Sequence, residues 1–194
     1  MTMKRVGITG GIGGGKSVVS RFLRILGYSV YDSDEQAKAL MARSSCIQEQ
    51  LSAEFGADIY VGGVLNRIRL AERVFADKAA LQRLNAIVHP AVKADFAEWC
   101  CKRSAEPVLF IESAILLEAG FFDTVDEIWL VTAPEAVRVS RVIARNHCSA
   151  EEAISRIRSQ MSDAEKEKYA SAVILNDGEK PLIPQIFKAL SSLA

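Results

Sequence analysis

Along the chain, short apolar runs alternate with longer stretches in which apolar positions recur at helical spacing. Arg5 to Thr9, Ser29 to Tyr31, Val108 to Ile111, Ile128 to Val131 and Val173 to Leu175 read as short buried strands. Strands of this kind separated by helices predict an α/β fold, with a central parallel sheet covered on both faces. Ser33 with Gln36, Thr132 with Glu135, and Ser149 with Glu152 have the spacing of helix N-caps. The segment from about 37 to 102 is mostly helical in pattern, breaks near "GADIYVGGV", and is too long for one crossover, so it is expected to form a helical insertion. A second helical pair, Glu135 to Asn146 and Ser149 to Gln160, precedes the last strand and carries five arginines.

Composition narrows the class. With 194 residues, 49% hydrophobic and 25% charged, one domain spanning 1–194 is expected, with its insertions. Apolar runs such as Ala114 to Leu117 are far too short to cross a bilayer, and Met1 to Thr9 has no signal-peptide core, so no membrane association and a cytoplasmic location are expected. Four scattered cysteines without a CxxC pair, and two distant histidines, suggest neither a disulfide framework nor a zinc cluster. Twenty-four basic and twenty-four acidic residues leave no net field for nucleic acid, so phosphate binding must be local.

The local feature is "GITGGIGGGKSVV", residues 7 to 19, with six glycines around one lysine. Gly10, Gly15, Lys16 and Ser17 stand in the register GxxxxGKS between a predicted strand and a predicted helix, the context of a phosphate-binding P-loop. Glycines let backbone N–H groups converge on phosphate oxygens, and the helix adds its unpaired N-terminal donors. Gly11, Ile12, Gly13, Gly14, Gly15, Lys16, Ser17 and Val18 are therefore the candidate nucleotide site, with Lys16 over the β- and γ-phosphates and the Ser17 hydroxyl on Mg²⁺. Val18 stands where many P-loops carry Thr, which removes one hydroxyl contact and predicts slightly weaker binding. A dinucleotide fold is excluded, because Lys16 occupies the place of the third glycine of GxGxxG.

A P-loop alone does not separate switch GTPases, ATPases and kinases. No DxxG or NKxD is present, which argues against a GTPase. Asp32 and Asp34 follow the second strand, at the sheet edge where ligands bind. Asp34 is either a base toward an attacking hydroxyl or a first-turn acid favoured by the helix dipole, and position alone leaves both open. Glu112, closing "VLFIE", is a candidate for Mg²⁺ through water or a plain surface acid. Arg138, Arg141 and Arg145 share one helix face, with Arg156 and Arg158 on the next helix. Such a face is commonly solvated, but a kinase needs a cationic flap that excludes water.

Taken in order, "GITGGIGGGKS", "YDSDEQAK", "GGVLNRIRLAERVF", "LNAIVHPAV", "FIESAILLEAGF", "RVIARN", "RIRSQM" and "VILNDG" resemble the dephospho-coenzyme A kinases, relatives in fold of the nucleoside monophosphate kinases. The resemblance runs through almost the whole chain. It implies a three-layer P-loop kinase with a helical acceptor-side insertion at about 37–102 and a small helical lid at about 138–168. It implies transfer of the ATP γ-phosphoryl group to the ribose 3′-hydroxyl of dephospho-coenzyme A, with Mg²⁺. It makes Asp34 the preferred base and Asp32 its neighbour near the acceptor. Arg67, His89, Leu116, Leu117 and Glu118 map onto motifs lining the acceptor side, the helices around Arg141, Arg145 and Arg156 onto the lid, and Asn176 onto the approach to adenine. His89 precedes Pro90 at an expected helix break, where it equally reads as a local packing residue, and Leu116 and Leu117 equally read as core. A monomer is expected.

The chain departs from the family pattern in places: Gly14-Gly15-Lys16-Ser17-Val18 for Ser-Gly-Lys-Ser-Thr, Glu112 for Asp, Ala114 for Pro, Asn66 for Asp, and Ser171 and Leu175 near which the family has acids. Glu for Asp keeps the charge but lengthens the reach by a methylene. Two other readings stay open: a kinase for a different hydroxyl acceptor, and a nucleotide-binding protein without chemistry.

Overall fold

The computed structural model describes residues 3–75 and 77–193, which divide into two compact units. The first contains the segments up to Tyr31 and from Ser104 onward; the second is Asp32–Arg103.

The first unit is built on a five-stranded sheet of β1 (Lys4–Thr9), β2 (Ser29–Asp32), β5 (Val108–Glu112), β6 (Glu127–Thr132) and β7 (Ala172–Leu175), in the order β2-β5-β1-β6-β7. β1 is central, pairing in parallel with β5 and with β6, and β6 pairs in parallel with β7. This is the parallel sheet expected from the apolar runs. Side-chain alternation along β1 sends Val6 and Ile8 to one face. There they pack with Val19 and Leu23 of α1 (Lys16–Ile25), with Phe110, Trp129 and Ile174, and with Ile186 and Ala189 of α9 (Leu182–Ser191). Gly7 faces the other side, where a side chain would collide with Leu116. α6 (Glu135–Asn146), α7 (Ala150–Arg158) and the short α8 (Asp163–Glu167) follow β6. Ser149 and Ser162 both close capping boxes, with Glu152 and Glu165. Thr132 is no cap: it ends β6, and α6 starts after Pro134 without a side-chain cap.

The second unit holds α2 (Ser33–Arg43), α3 (Ser45–Phe55), a two-residue hairpin of β3 (Tyr60–Val61) and β4 (Val64–Leu65), α4 (Arg67–Phe75) and α5 (Lys78–Cys101). The cap of α2 is Asp32, one residue before the expected Ser33, because its carboxylate accepts from the N–H groups of Asp34 and Glu35. Ile47, Leu51, Phe55, Ile59, Leu70 and Val74 form its core. α5 runs through Pro90 without the break expected there. Proline deletes one ladder hydrogen bond, toward Ala86, which a 24-residue helix held by packing tolerates. Among the described residues, no helix is long and apolar enough to cross a membrane.

Candidate active site

The loop between β1 and α1 is held chiefly by its carbonyls. Arg138 Nε donates to the Ile12 carbonyl at 3.0 Å, an Arg141 guanidinium nitrogen to Gly13 at 3.2 Å, and Asn176 Nδ2 to Gly14 at 3.1 Å. In a trans peptide the C=O of one residue and the N–H of the next point in opposite directions. With the carbonyls of Ile12 and Gly14 bound to these partners, the N–H groups of Gly13 and Gly15 are turned away from them. The Gly14 N–H closes a turn on the Gly11 carbonyl at 3.0 Å. Lys16 lies over the loop, its ammonium 2.8 Å from the Gly10 carbonyl.

The glycines at 10, 11, 13, 14 and 15 are demanded by protein as much as by any phosphate, since a Cβ at any of them would meet a protein atom within 3.0 Å. A Cβ on Gly11 would come within 1.9 Å of the Arg138 guanidinium. Gly15 has φ +98°, a left-handed conformation, and a Cβ there would stand 1.9 Å from Asn176 Nδ2. The close approach inferred from the sequence thus has a second cause: α6 and the residue after β7 are packed directly onto the loop.

Arg138, read from sequence as one of a lid's arginines, is only 7% exposed and is a structural member of this site. It is ion-paired with Asp163 at 3.0 Å. Asn176, 8% exposed, has its amide engaged at both ends, accepting from Arg141 at 3.4 Å while donating to Gly14. Its side chain holds the phosphate loop. Arg145 lies a turn beyond Arg141, exposed, bonded to its neighbour Asn146. Ser17 and Val18 are exposed on the first turn of α1.

Leu116 and Leu117 are buried, Leu116 completely, so their side chains belong to the core beneath β1. Glu118 has its carboxylate 3.0 Å from the ammonium of Lys166 and accepts the Met161 N–H at 3.1 Å, so it anchors a neighbouring segment. Two apolar side chains beside a strand end fill the interior unless something opposes it.

In the second unit, Asp34 is exposed in the first turn of α2, oriented by the Asp32 cap. Arg67 is exposed at the first position of α4, whose start is capped by Asn66 accepting the Arg69 N–H at 3.1 Å. The Asn that replaces a family Asp at 66 thus keeps the needed acceptor. His89 is half-buried in α5; burial first, and the charge of Lys93 second, hold its pKa below the ordinary imidazole value, so it is neutral at pH 7.

Three participants escaped the sequence reading: Gln160, Asp163 and Lys166. Gln160 Oε1 accepts the Ile12 N–H at 2.8 Å, and Asp163 Oδ1 accepts the Gly11 N–H at 3.3 Å. The available signal was Ser162 with Glu165, a second capping box that marks α8 and places Asp163 at its start.

The donors present suit Mg²⁺. Ser17 Oγ at the head of α1 and the Glu112 carboxylate at the end of β5 are hard oxygen ligands, and no cluster of three or more His, Cys, Asp or Glu that could hold a metal by itself occurs among the described residues. That is the donor set for an ion which arrives with a nucleotide and keeps phosphate and water ligands.

A glycine loop between the central strand and the first helix of a parallel sheet, with a lysine over its backbone and arginines on its flank, defines a kinase of the P-loop class. Residues 4–181 match the family model described as CoaE, dephospho-CoA kinase, and the chain belongs to that family. It is 47% identical over 189 residues to a dephospho-CoA kinase of Bacteroides fragilis, covering 97% of this chain and 92% of that one. It is 41% identical over 192 residues to one from Porphyromonas gingivalis, covering 98% and 95%. Among solved structures, TT1252 from Thermus thermophilus superposes with TM-score 0.85 at 38% identity, over 99% of this chain and 98% of that one. A shikimate kinase from Acinetobacter baumannii, at 12% identity and TM-score 0.58 over 99% and 93%, shares the fold alone.

Proposed function

We propose that this chain transfers the γ-phosphoryl group of ATP to the ribose 3′-hydroxyl of dephospho-coenzyme A, giving coenzyme A and ADP, the last step of coenzyme A synthesis. The observation that carries the reading is the P-loop whose carbonyls are tied back to Arg138, Arg141 and Asn176, in a chain matched from residue 4 to 181 by the family. Phosphoryl transfer asks a protein mainly to position groups and to stabilise charge, and a fixed glycine loop beneath a lysine does both.

In this reading Gly11 to Val18 bind the triphosphate, and Lys16 leaves the Gly10 carbonyl for the β- and γ-phosphates. Ser17 and Glu112 hold Mg²⁺, which when bound with the nucleotide neutralises charge on its terminal phosphates. Asp34 accepts the proton of the attacking hydroxyl. Asp32 supports this role by fixing the first turn of α2, on which Asp34 stands. Arg67 and the neutral His89 contact the acceptor, Arg67 as an exposed cation for its phosphates and His89 as an uncharged hydrogen-bonding group. Residues about 138–168 form the lid, with Arg141 and Arg145 as its cations toward the nucleotide. The enzyme acts as a cytoplasmic monomer on these two small substrates.

A coupled ADP-release assay over a panel of hydroxyl acceptors tests the proposal. ADP should appear only when dephospho-coenzyme A is present. Equal turnover with an unrelated acceptor, or hydrolysis independent of any acceptor, would sink it.

A further inference from the structure

Resting on that reading, we infer that Asp163, assisted by Gln160, is a positioning residue for ATP: it sets the backbone of the phosphate loop. Both carboxylate oxygens of Asp163 are in use. Oδ1 accepts the Gly11 N–H at 3.3 Å, while Oδ2 accepts the Thr132 hydroxyl at 2.5 Å and an Arg138 guanidinium nitrogen at 3.0 Å. The side chain is 17% exposed, so these are sheltered, charge-assisted contacts. Gln160 adds the Ile12 N–H at 2.8 Å.

The contacts form a closed circuit. Asp163 fixes Arg138, and Arg138 holds the Ile12 carbonyl at 3.0 Å, which turns the Gly13 N–H away from Arg138. Asp163 and Gln160 meanwhile hold the two preceding amides. The segment that carries them is itself anchored, since Lys166, fully buried on the same short helix, binds the Ala114 carbonyl at 2.8 Å and Glu118 at 3.0 Å. Residues 160–166 therefore attach to the ends of β5, β1 and β6, the three adjacent central strands. An ion pair made only for stability would need Arg138 and Asp163 alone. The bonds to Gly11 and Ile12 tie it to the nucleotide site.

The test is steady-state kinetics with ATP and dephospho-coenzyme A, direct titration with ADP, and thermal unfolding, on the whole chain. Asp163→Ala should raise the KM for ATP and the Kd for ADP about tenfold, the loss expected for one or two charge-assisted contacts. The KM for dephospho-coenzyme A should stay within about twofold, a split that a general loss of folded protein would not give. Gln160→Ala should raise the ATP KM about threefold, in line with one neutral hydrogen bond. It decides the matter if Asp163→Ala does not fold. ATP and ADP affinities unchanged in the folded variants overturn the inference, whatever happens to the melting temperature. If the unaltered chain fails to phosphorylate dephospho-coenzyme A, the functional reading falls, while the ADP titrations still decide the role of Asp163.

Discussion

Asn176 and Gly14, 162 positions apart in sequence, are joined by a 3.1 Å hydrogen bond from the Asn176 amide to the Gly14 carbonyl. The last strand of the sheet thereby holds the first loop of the chain. Asn176→Ala should leave that carbonyl without its side-chain donor and free Arg141 from its 3.4 Å contact. The expected cost is about 1–3 kcal/mol, read as a five- to hundredfold rise in the KM for ATP. An unchanged KM would mean that the loop keeps its shape without this tie.

Lys16→Ala removes the cation nearest the loop and should lower kcat by about 10²–10³-fold, the scale for losing one preorganised charge-stabilising donor. The fold should persist, because Lys16 is only partly buried, at the first position of α1. Circular dichroism beside the ADP-release assay checks both parts.

Much of this architecture was legible because its causes are local. Apolar runs located all five sheet strands, and GxxxxGKS located the loop, since period and glycine spacing are written in consecutive residues. What stayed hidden depends on partners distant in sequence. Nothing near Arg138 distinguishes a buried ion-pair member from a solvated arginine, because its partner is Asp163 and its target Ile12. Lys166 in "AEKEK" reads as surface charge, yet it is completely buried. Local rules also misplaced features by small margins: the cap of α2 fell on Asp32 instead of Ser33, and Pro90 did not end its helix. The first turned on which of two adjacent residues bonds the free helical N–H groups, the second on packing that outweighed a positional preference.

Asp34→Asn keeps the size of the side chain and removes its basicity. The first turn of α2 should survive, since the cap is made by the Asp32 carboxylate. Phosphoryl transfer should fall about a hundredfold or more, the contribution of a positioned general base. Affinity for ATP, measured by titration, should stay within about threefold. Undiminished turnover would leave Asp34 as a helix-terminal acid only.

His89 supplies a pH test. Its pKa lies below the ordinary 6.5, because burial and then Lys93 disfavour the imidazolium. The unfolded chain therefore takes up this proton at a higher pH than the folded one, so stability rises with pH across the window between the two values. The contribution is complete above 6.5 and declines as pH falls toward the folded-state value. His89→Gln should flatten that part of the profile, which urea unfolding at a series of pH values would resolve.

The pair of Lys166 and Glu118 separates an anchoring role from a ligand-binding one. Lys166 is fully buried and Glu118 is 25% exposed on its side chain, at 3.0 Å. Glu118→Ala strands the ammonium with only the Ala114 carbonyl at 2.8 Å, and it also removes the acceptor of the Met161 N–H. Breaking one side of a buried pair costs about 3–5 kcal/mol, and the remaining carbonyl favours the lower end. Lys166→Met, which removes the buried charge and leaves a carboxylate that water can reach, should cost less. A large drop in melting temperature for Glu118→Ala and a smaller one for Lys166→Met is therefore expected. A Glu118 that bound only the acceptor would give the opposite result: an unchanged melting temperature with a raised KM for dephospho-coenzyme A.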